Sequence, residues 1–199
     1  MASPARTEDT TSVAPSDTDL MLAYGSGDAA AFDDLYTRHR GGVYRYLLRH
    51  CGNAALADEL FQDVWMNVVR SRSAYQPTAQ FTTWLYRIAH NRVVDHWRAA
   101  ASHAAVVADS GAGDEVLEAV PAAHATEPDA RLETVQLRKR LEAALRELPP
   151  LQRDAFLLHQ EGGLTAGEIA ALTDSEPETV KSRLRYASNR LRSSLGEMR

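Results

Sequence analysis

An all-α protein of two small helical domains on a flexible acidic linker is what three features of this 199-residue chain predict. Apolar side chains recur at helical spacing through residues 19–100 and again through 131–199, with no convincing alternating strand in either. Between them, residues 101–130 are mostly Ala, Gly, Asp, Glu and Pro, and among large apolar groups hold only Val106, Val107, Val116, Leu117 and Val120; so little burial cannot offset the entropy of ordering. Residues 1–18 have the same polar character and read as a disordered tail. The remaining balance, 44% apolar and 25% charged, is that of a globular protein. No run approaches the ~18 apolar residues of a membrane span and no signal-peptide core is present, so a cytoplasmic location is expected. Cys51 is the only cysteine, which excludes an internal disulfide and a cysteine-based zinc site. Packing must hold the fold.

In the first domain the pattern predicts a short helix at Leu20 to Tyr24, then helices from Asp28 to His50, Ala54 to Ser71 and Phe81 to Ala99. Phe32, Leu35, Tyr36, Val43, Tyr44, Leu47 and Leu48 form the buried stripe of the second. Gly41-Gly42 interrupts that helix at about 1 kcal/mol per glycine relative to alanine, and a kink is expected there. Gly52-Asn53 supplies the next turn and Tyr75-Gln76-Pro77 the one after. The second domain opens with a helix from Leu132 to Leu148, stopped by Pro149-Pro150, and continues from Leu151 to Gln160 until Gly162-Gly163.

Charge is unevenly placed. Residues 1–19 carry Arg6 against Glu8, Asp9, Asp17 and Asp19, a sum of −3, and residues 101–130 carry six acids and no base, a sum of −6. The two helical segments are each +2, from nine Arg against seven acids and twelve Lys+Arg against ten. A net charge of −5 therefore does not exclude nucleic acid as a partner, because screening makes each patch act locally.

The carboxy-terminal pattern is the most specific. Thr165-Ala-Gly-Glu168 has capping-box spacing and starts a short helix with Ile169 and Leu172 inward. After a break at Thr173-Asp174, Ser175 is placed to cap a second helix, with Pro177 tolerated in its first turn. Val180, Leu184, Ala187, Leu191 and Leu195 make one narrow apolar face. The rest carries Thr179, Lys181, Ser182, Arg183, Arg185, Tyr186, Asn189, Arg190 and Arg192, and residues 177–199 sum to +4. Short helix, turn, then basic amphipathic helix is the helix-turn-helix layout, whose second helix enters the major groove. A solvated basic helix in an ordinary bundle would lack the ordered run of caps.

At this point the residues resemble a known family. Leu148-Pro-Pro-Leu-Gln-Arg-Asp-Ala-Phe-Leu-Leu158, Leu164-Thr-Ala-Gly-Glu-Ile-Ala170 and Thr179-Val-Lys-Ser-Arg-Leu184 resemble the promoter-binding domain of extracytoplasmic-function sigma factors of the sigma-70 family. Ala57-Asp-Glu-Leu-Phe-Gln-Asp-Val-Trp65 and Phe81-Thr-Thr-Trp-Leu-Tyr-Arg-Ile-Ala89, followed by Asn91, Asp95 and Arg98, resemble that family's polymerase-binding and promoter-melting segments. The resemblance implies three surfaces. Asp58, Glu59, Phe61, Gln62, Asp63 and Trp65 would dock on core RNA polymerase, an acidic face edged by aromatics suiting a basic helical partner. Arg72, Tyr75, Trp84, Arg87, Asn91, Arg92, Asp95 and Arg98 would handle the minus-ten element, with arginines on phosphates and rings beneath unstacked bases. Thr165, Glu178, Thr179, Lys181, Ser182, Arg183, Arg185 and Tyr186 would meet the minus-thirty-five element. Taken alone, Trp65 and Trp84 suit the core better than a surface, and only the wider resemblance places Trp65 on the docking face. Two departures stand out: the turn reads Thr173-Asp-Ser175 where relatives more often have an apolar residue, Gly and another apolar residue, and Tyr186 takes a position commonly basic.

The function implied is a transcription initiation subunit with no catalysis, cofactor or metal of its own, monomeric when free, with no membrane insertion. Its partners would be core RNA polymerase, promoter DNA and an anti-sigma factor that masks these faces. The alternative is a polymerase-independent helix-turn-helix regulator with an amino-terminal sensing domain, which leaves the acidic face and the Arg87 stripe unexplained. A helical metal phosphohydrolase using Asp33, Asp34, His39, Asp58, Glu59 and Asp63 is a weaker reading still, since no H-x-x-E-H or H-E-x-x-H element occurs.

Overall fold

The computed structural model describes residues 14–110 and 130–196, and within them every regular element is helical. The helices are α1 (Asp17–Gly25), α2 (Ala29–Cys51), α3 (Ala54–Ser71), α4 (Phe81–Ser110), α5 (Ala130–Arg146), α6 (Pro150–Gly162), α7 (Ala166–Leu172) and α8 (Pro177–Gly196), with a 3-10 turn at Arg72–Ala74. None is long and apolar enough to cross a membrane.

Helix starts follow local chemistry. Ser16 and Asp19 form a reciprocal capping box on α1, Asp28 accepts from the Ala30 amide, and Asn53 accepts from the Leu56 amide. The helices α2 and α6 stop at Gly52 and Gly163, both at φ 67°, a left-handed conformation that glycine adopts without a Cβ penalty.

The first unit packs α1 and α3 against α2 and closes with α4 across α2 and α3; the second packs α5, α6 and α7 against α8. Leu35, Val43, Tyr46, Leu47, Val64, Val68 and Leu85 are fully buried in the first, and Leu145, Leu157, Leu158, Leu164, Ile169, Val180 and Ala187 in the second. The buried apolar residues form one continuous cluster because α2 and α4 also pack on α6 and α7. The expected pair of tethered domains is thus a docked pair.

Four expectations need correction. The helix α2 is not interrupted at Gly41-Gly42; at Gly42 an added Cβ would stand 2.7 Å from the Tyr86 hydroxyl oxygen and 3.0 Å from the Glu161 carbonyl oxygen, so the glycine serves close packing. The short first helix begins three residues early, where its capping box lies. The fourth helix continues to Ser110, past the expected linker boundary. Ser175 does not cap α8: the first helical bond runs from the Val180 amide to the Glu176 carbonyl, while the Ser175 hydroxyl accepts from Arg183 and donates to the Thr173 carbonyl. The flexibility expected for the rest of the linker and for the first residues of the tail falls outside the described residues.

Between α7 and α8, Asp174 stands at φ 50°. A side chain in that left-handed region costs on the order of 1 kcal/mol, less for Asp than for most because its carboxylate bonds locally. Asp174→Gly is therefore expected to stabilise the chain by about 0.5–1 kcal/mol, measured as a rise in the urea midpoint at unchanged slope.

Candidate nucleic-acid and partner-binding surfaces

The helix α3 separates its two faces cleanly. Leu60, Val64 and Val68 point into the bundle, while Asp58, Glu59, Gln62, Asp63 and Met66 are exposed together on the opposite side. Phe61 is half-buried between Tyr36 and Tyr44, with ring centroids 6.2 and 5.7 Å away. Trp65 does not join the exposed face. It is only 6% exposed, edge-on to Phe32 and Tyr36, because α2 packs along α3 and closes over that end. The surface is an acidic ridge with Met66 as its exposed apolar group and no aromatic anchor fully in solvent.

Along α4, Arg87, Asn91 and Arg98 are exposed in one stripe, with Val94 half-buried between them, and Leu85, Ala89 and Val93 face inward. Asp95 lies at the border and accepts from Arg92 at 2.7 Å, which holds that guanidinium along the helix. Arg98 approaches Asp95 at 4.0 Å. Trp84 is half-buried against Tyr75 and Phe81, with centroids at 5.1 and 5.8 Å. Tyr75 is 8% exposed with its hydroxyl inward, so its expected place on the surface of the loop is corrected: the ring forms the floor under Trp84. Arg72 remains exposed on that loop and lies over the Tyr24 ring.

The capping box of α7 forms as expected: the Thr165 hydroxyl accepts from the Glu168 amide and the Glu168 carboxylate accepts from the Thr165 amide at 2.9 Å. These bonds to Thr165, with a further one from Thr83, hold the Glu168 carboxyl below its usual range. On α8, Glu178, Thr179, Lys181, Arg185 and Tyr186 are exposed while Val180, Ala187 and Leu191 are buried. Lys181 pairs with Glu178 at 2.6 Å, and Arg185 lies over the Tyr186 ring. Ser182 is half-buried; Arg183, also half-buried, donates to Ser175 at 3.0 Å and braces the turn. The polar face of α8 is open along its length, which is what a groove-reading helix needs.

One group of residues escaped the sequence reading. Asp154 is buried on α6, accepts from the Tyr46 hydroxyl at 2.8 Å, and lies 3.2 Å from His50 and 3.1 Å from His90. Burial opposes its ionisation, but the two imidazoles together outweigh that and hold the carboxyl well below the usual range. Burial also lowers His50 and raises Tyr46, which favours the neutral forms of both beside the carboxylate. The signal was present: Asp154 and Glu161 fall on the same apolar stripe of α6 as Leu157 and Leu158. Cys51 is half-buried beside this region, and burial pushes its thiol up to about 11.

Comparison with known proteins places these surfaces in context. Residues 35–103 match the family model for sigma-70 region 2, and residues 138–191 that for sigma-70 region 4. Among curated proteins, the chain is 33% identical over 178 residues to the RNA polymerase sigma factor CarQ of Myxococcus xanthus, covering 89% of this chain and 97% of that one. It is 31% identical over 178 residues to the ECF RNA polymerase sigma factor SigK of Mycolicibacterium vanbaalenii, covering 89% and 88%. Among solved structures, the sigma factor RpoE in complex with the anti-sigma factor NepR from Bartonella quintana matches with a TM-score of 0.65 at 21% identity, over 84% of this chain and 98% of that one. The last likeness is one of fold.

Proposed function

The chain belongs to the extracytoplasmic-function sigma factors of the sigma-70 family, and from that membership we propose how its surfaces divide the work of transcription initiation. As a sigma factor it binds core RNA polymerase and directs promoter recognition, melting and initiation; sigma factors are initiation factors, and the polymerase carries the chemistry. The alternative of a polymerase-independent regulator gives way to this reading.

The observation that carries the division is the simultaneous exposure of an acidic ridge on α3 and a basic face on α8. Asp58, Glu59, Gln62 and Asp63, with Met66 beside them, dock on a basic helical element of core polymerase, charge steering the encounter and an apolar contact adding to residence. Arg87, Asn91 and Arg98, with Arg72 on the adjoining loop, hold the backbone and bases of the minus-ten element as its strands part; Trp84, floored by Tyr75, offers the edge of a ring. Thr179, Lys181, Arg185 and Tyr186 read the minus-thirty-five duplex, and Tyr186 in place of a basic residue shifts one contact from phosphate to an apolar or hydroxyl partner. Regulation by an anti-sigma factor covering these faces, and work in the bacterial cytoplasm, complete the proposal.

Transcription reconstituted with purified core polymerase tests it. Arg87→Ala is expected to slow open-complex formation at least tenfold with core affinity changed less than threefold, since one charge-assisted hydrogen bond is worth about 1.5–3 kcal/mol. Asp63→Arg is expected to weaken core affinity by a comparable factor and leave duplex binding intact. If both variants lose only duplex affinity, the division is wrong.

A further inference from the structure

Glycine is a poor helix former, yet α1 ends on one. Backbone conformation does not explain Gly25: the glycines with a positive φ among the described residues are Gly27, Gly52 and Gly163. Alanine would suit that last turn better. What excludes it is space. A Cβ at Gly25 would stand 2.8 Å from the Arg72 carbonyl oxygen, a backbone atom that cannot swing aside. The glycine lets α1 rest directly on the 3-10 turn at Arg72–Ala74, which opens the loop assigned above to the minus-ten element.

The same helix end meets Arg72 a second time. The Arg72 guanidinium lies over the Tyr24 ring at 5.7 Å and donates to the Val69 carbonyl at 3.1 Å. Tyr24 is itself set against Phe32 of α2, with centroids 4.9 Å apart. Both ends of α1 are tied to their surroundings. At its start Asp17 accepts from Arg38 at 2.9 Å and stands 2.7 Å from His39. At its close the Ser26 amide donates to the Leu22 and Ala23 carbonyls, and the Asp28 amide donates to Ala23. A methyl group added at Gly25 would therefore displace the turn and leave α1 where it is. On the other side of the turn Tyr75 is held beneath Trp84, and between these two fixed points Ser73 and Ala74 are exposed. A surface that selects an unstacked base must keep its shape while the base enters, and supporting residues supply that rigidity.

Resting on the sigma-factor reading, we propose that Tyr24 and Gly25 are positioning residues for minus-ten recognition. The end of α1 is a backstop. It sets the height of the Arg72–Ala74 turn through the Arg72 carbonyl, parks the Arg72 charge over a ring, and so fixes which unstacked base the loop accepts.

Two measurements on the full chain test this. Amide hydrogen exchange of the free protein reads the turn itself: Gly25→Ala and Tyr24→Leu should each speed exchange across residues 72–75 about tenfold or more, and Tyr24→Phe should stay within about twofold of the wild type. Holoenzymes made with purified core polymerase then select open complexes from promoter templates randomised across both elements. Gly25→Ala should change base preference within the minus-ten element by about fivefold or more, with minus-thirty-five preference and core affinity within about twofold of the wild type. Tyr24→Leu should slow open-complex formation about threefold or more, and Tyr24→Phe, which keeps the ring under the guanidinium, should restore it. Gly41→Ala is the control, since its methyl group meets the flexible end of Arg45 at 3.2 Å, and it should change none of these.

Unchanged exchange in both Gly25→Ala and Tyr24→Leu overturns the backstop. Faster exchange with unaltered minus-ten preference and rate overturns its part in recognition, as does an equal change at both promoter elements. Should Gly25→Ala fail to fold, the Tyr24 pair decides by the same readouts. If no form, the wild type included, binds core polymerase while the exchange result holds, the sigma-factor reading falls and the recognition role with it, and the backstop stands.

Discussion

Trp65→Ala is expected to cost about 3–5 kcal/mol of stability and to melt the first helical unit, where an acidic-face substitution such as Asp63→Arg leaves the melt nearly unchanged. The Trp65 ring sits 4.9 Å from Tyr36, 5.8 Å from Phe32 and 6.2 Å from Phe61, each contact tilted or edge-on. Such pairs contribute about 0.5–1.5 kcal/mol each beyond burial, and no neighbour is long enough to fill the space a vanished indole leaves. Domains of this kind are stable by about 5–15 kcal/mol, so the loss is a large share of the whole. Urea unfolding followed by circular dichroism reads it directly, and Trp65→Phe should recover more than half. If Trp65→Ala instead melts within about 1 kcal/mol of the wild type and loses polymerase affinity, the indole belongs to the docking face as the family resemblance implies.

Ala187→Asp is expected to abolish minus-thirty-five binding by removing α8 from its seat. Ala187 is fully buried between Val180 and Leu191 on the apolar face of α8, where that helix packs on α6. The neighbouring basic groups of α8 turn away from that seat: Arg185 is exposed beside Tyr186, and Arg190 reaches outward to Glu147 at 3.9 Å. A desolvated charge costs several kcal/mol, enough to displace a helix whose grip on the domain is one narrow stripe. Promoter-fragment binding should fall at least a hundredfold, helix content should drop by about the length of α8, and polymerase affinity, which we propose rests on α3, should persist. Loss of polymerase affinity in parallel would show that the two units fold as one.

Helical periodicity was legible wherever a stripe faces a single neighbour. In α3 the acidic residues and the apolar ones alternate at the helical repeat, so the exposure of Asp58, Glu59, Gln62 and Asp63 follows from spacing. In α8 the same holds for Val180, Ala187 and Leu191. Caps with side chains of fixed reach were legible too, as with Thr165 and Glu168. Residues at the border of a stripe were not: Trp65 and Tyr75 lie where either face is open to them, and the packing of Phe32 and Tyr36 of α2 against Trp65 and of Phe81 and Trp84 against Tyr75 settled their burial. Ser175 matched the spacing of a cap yet serves Arg183, since a hydroxyl beside a left-handed residue has two partners within reach and only the turn geometry selects one.

By itself the sequence determined what each helix must turn inward and outward, because side-chain hydrophobicity and a repeat of 3.6 residues act within one segment. It also determined the family, through motifs carried in order along both units. The tertiary structure alone decided which helices from different units meet. The buried carboxylate of Asp154 takes its meaning from Tyr46, His50 and His90, far away in the chain, and Gly42 from Tyr86 and Glu161. Contacts of that kind depend on the docking of whole surfaces, and no local pattern of residues encodes them.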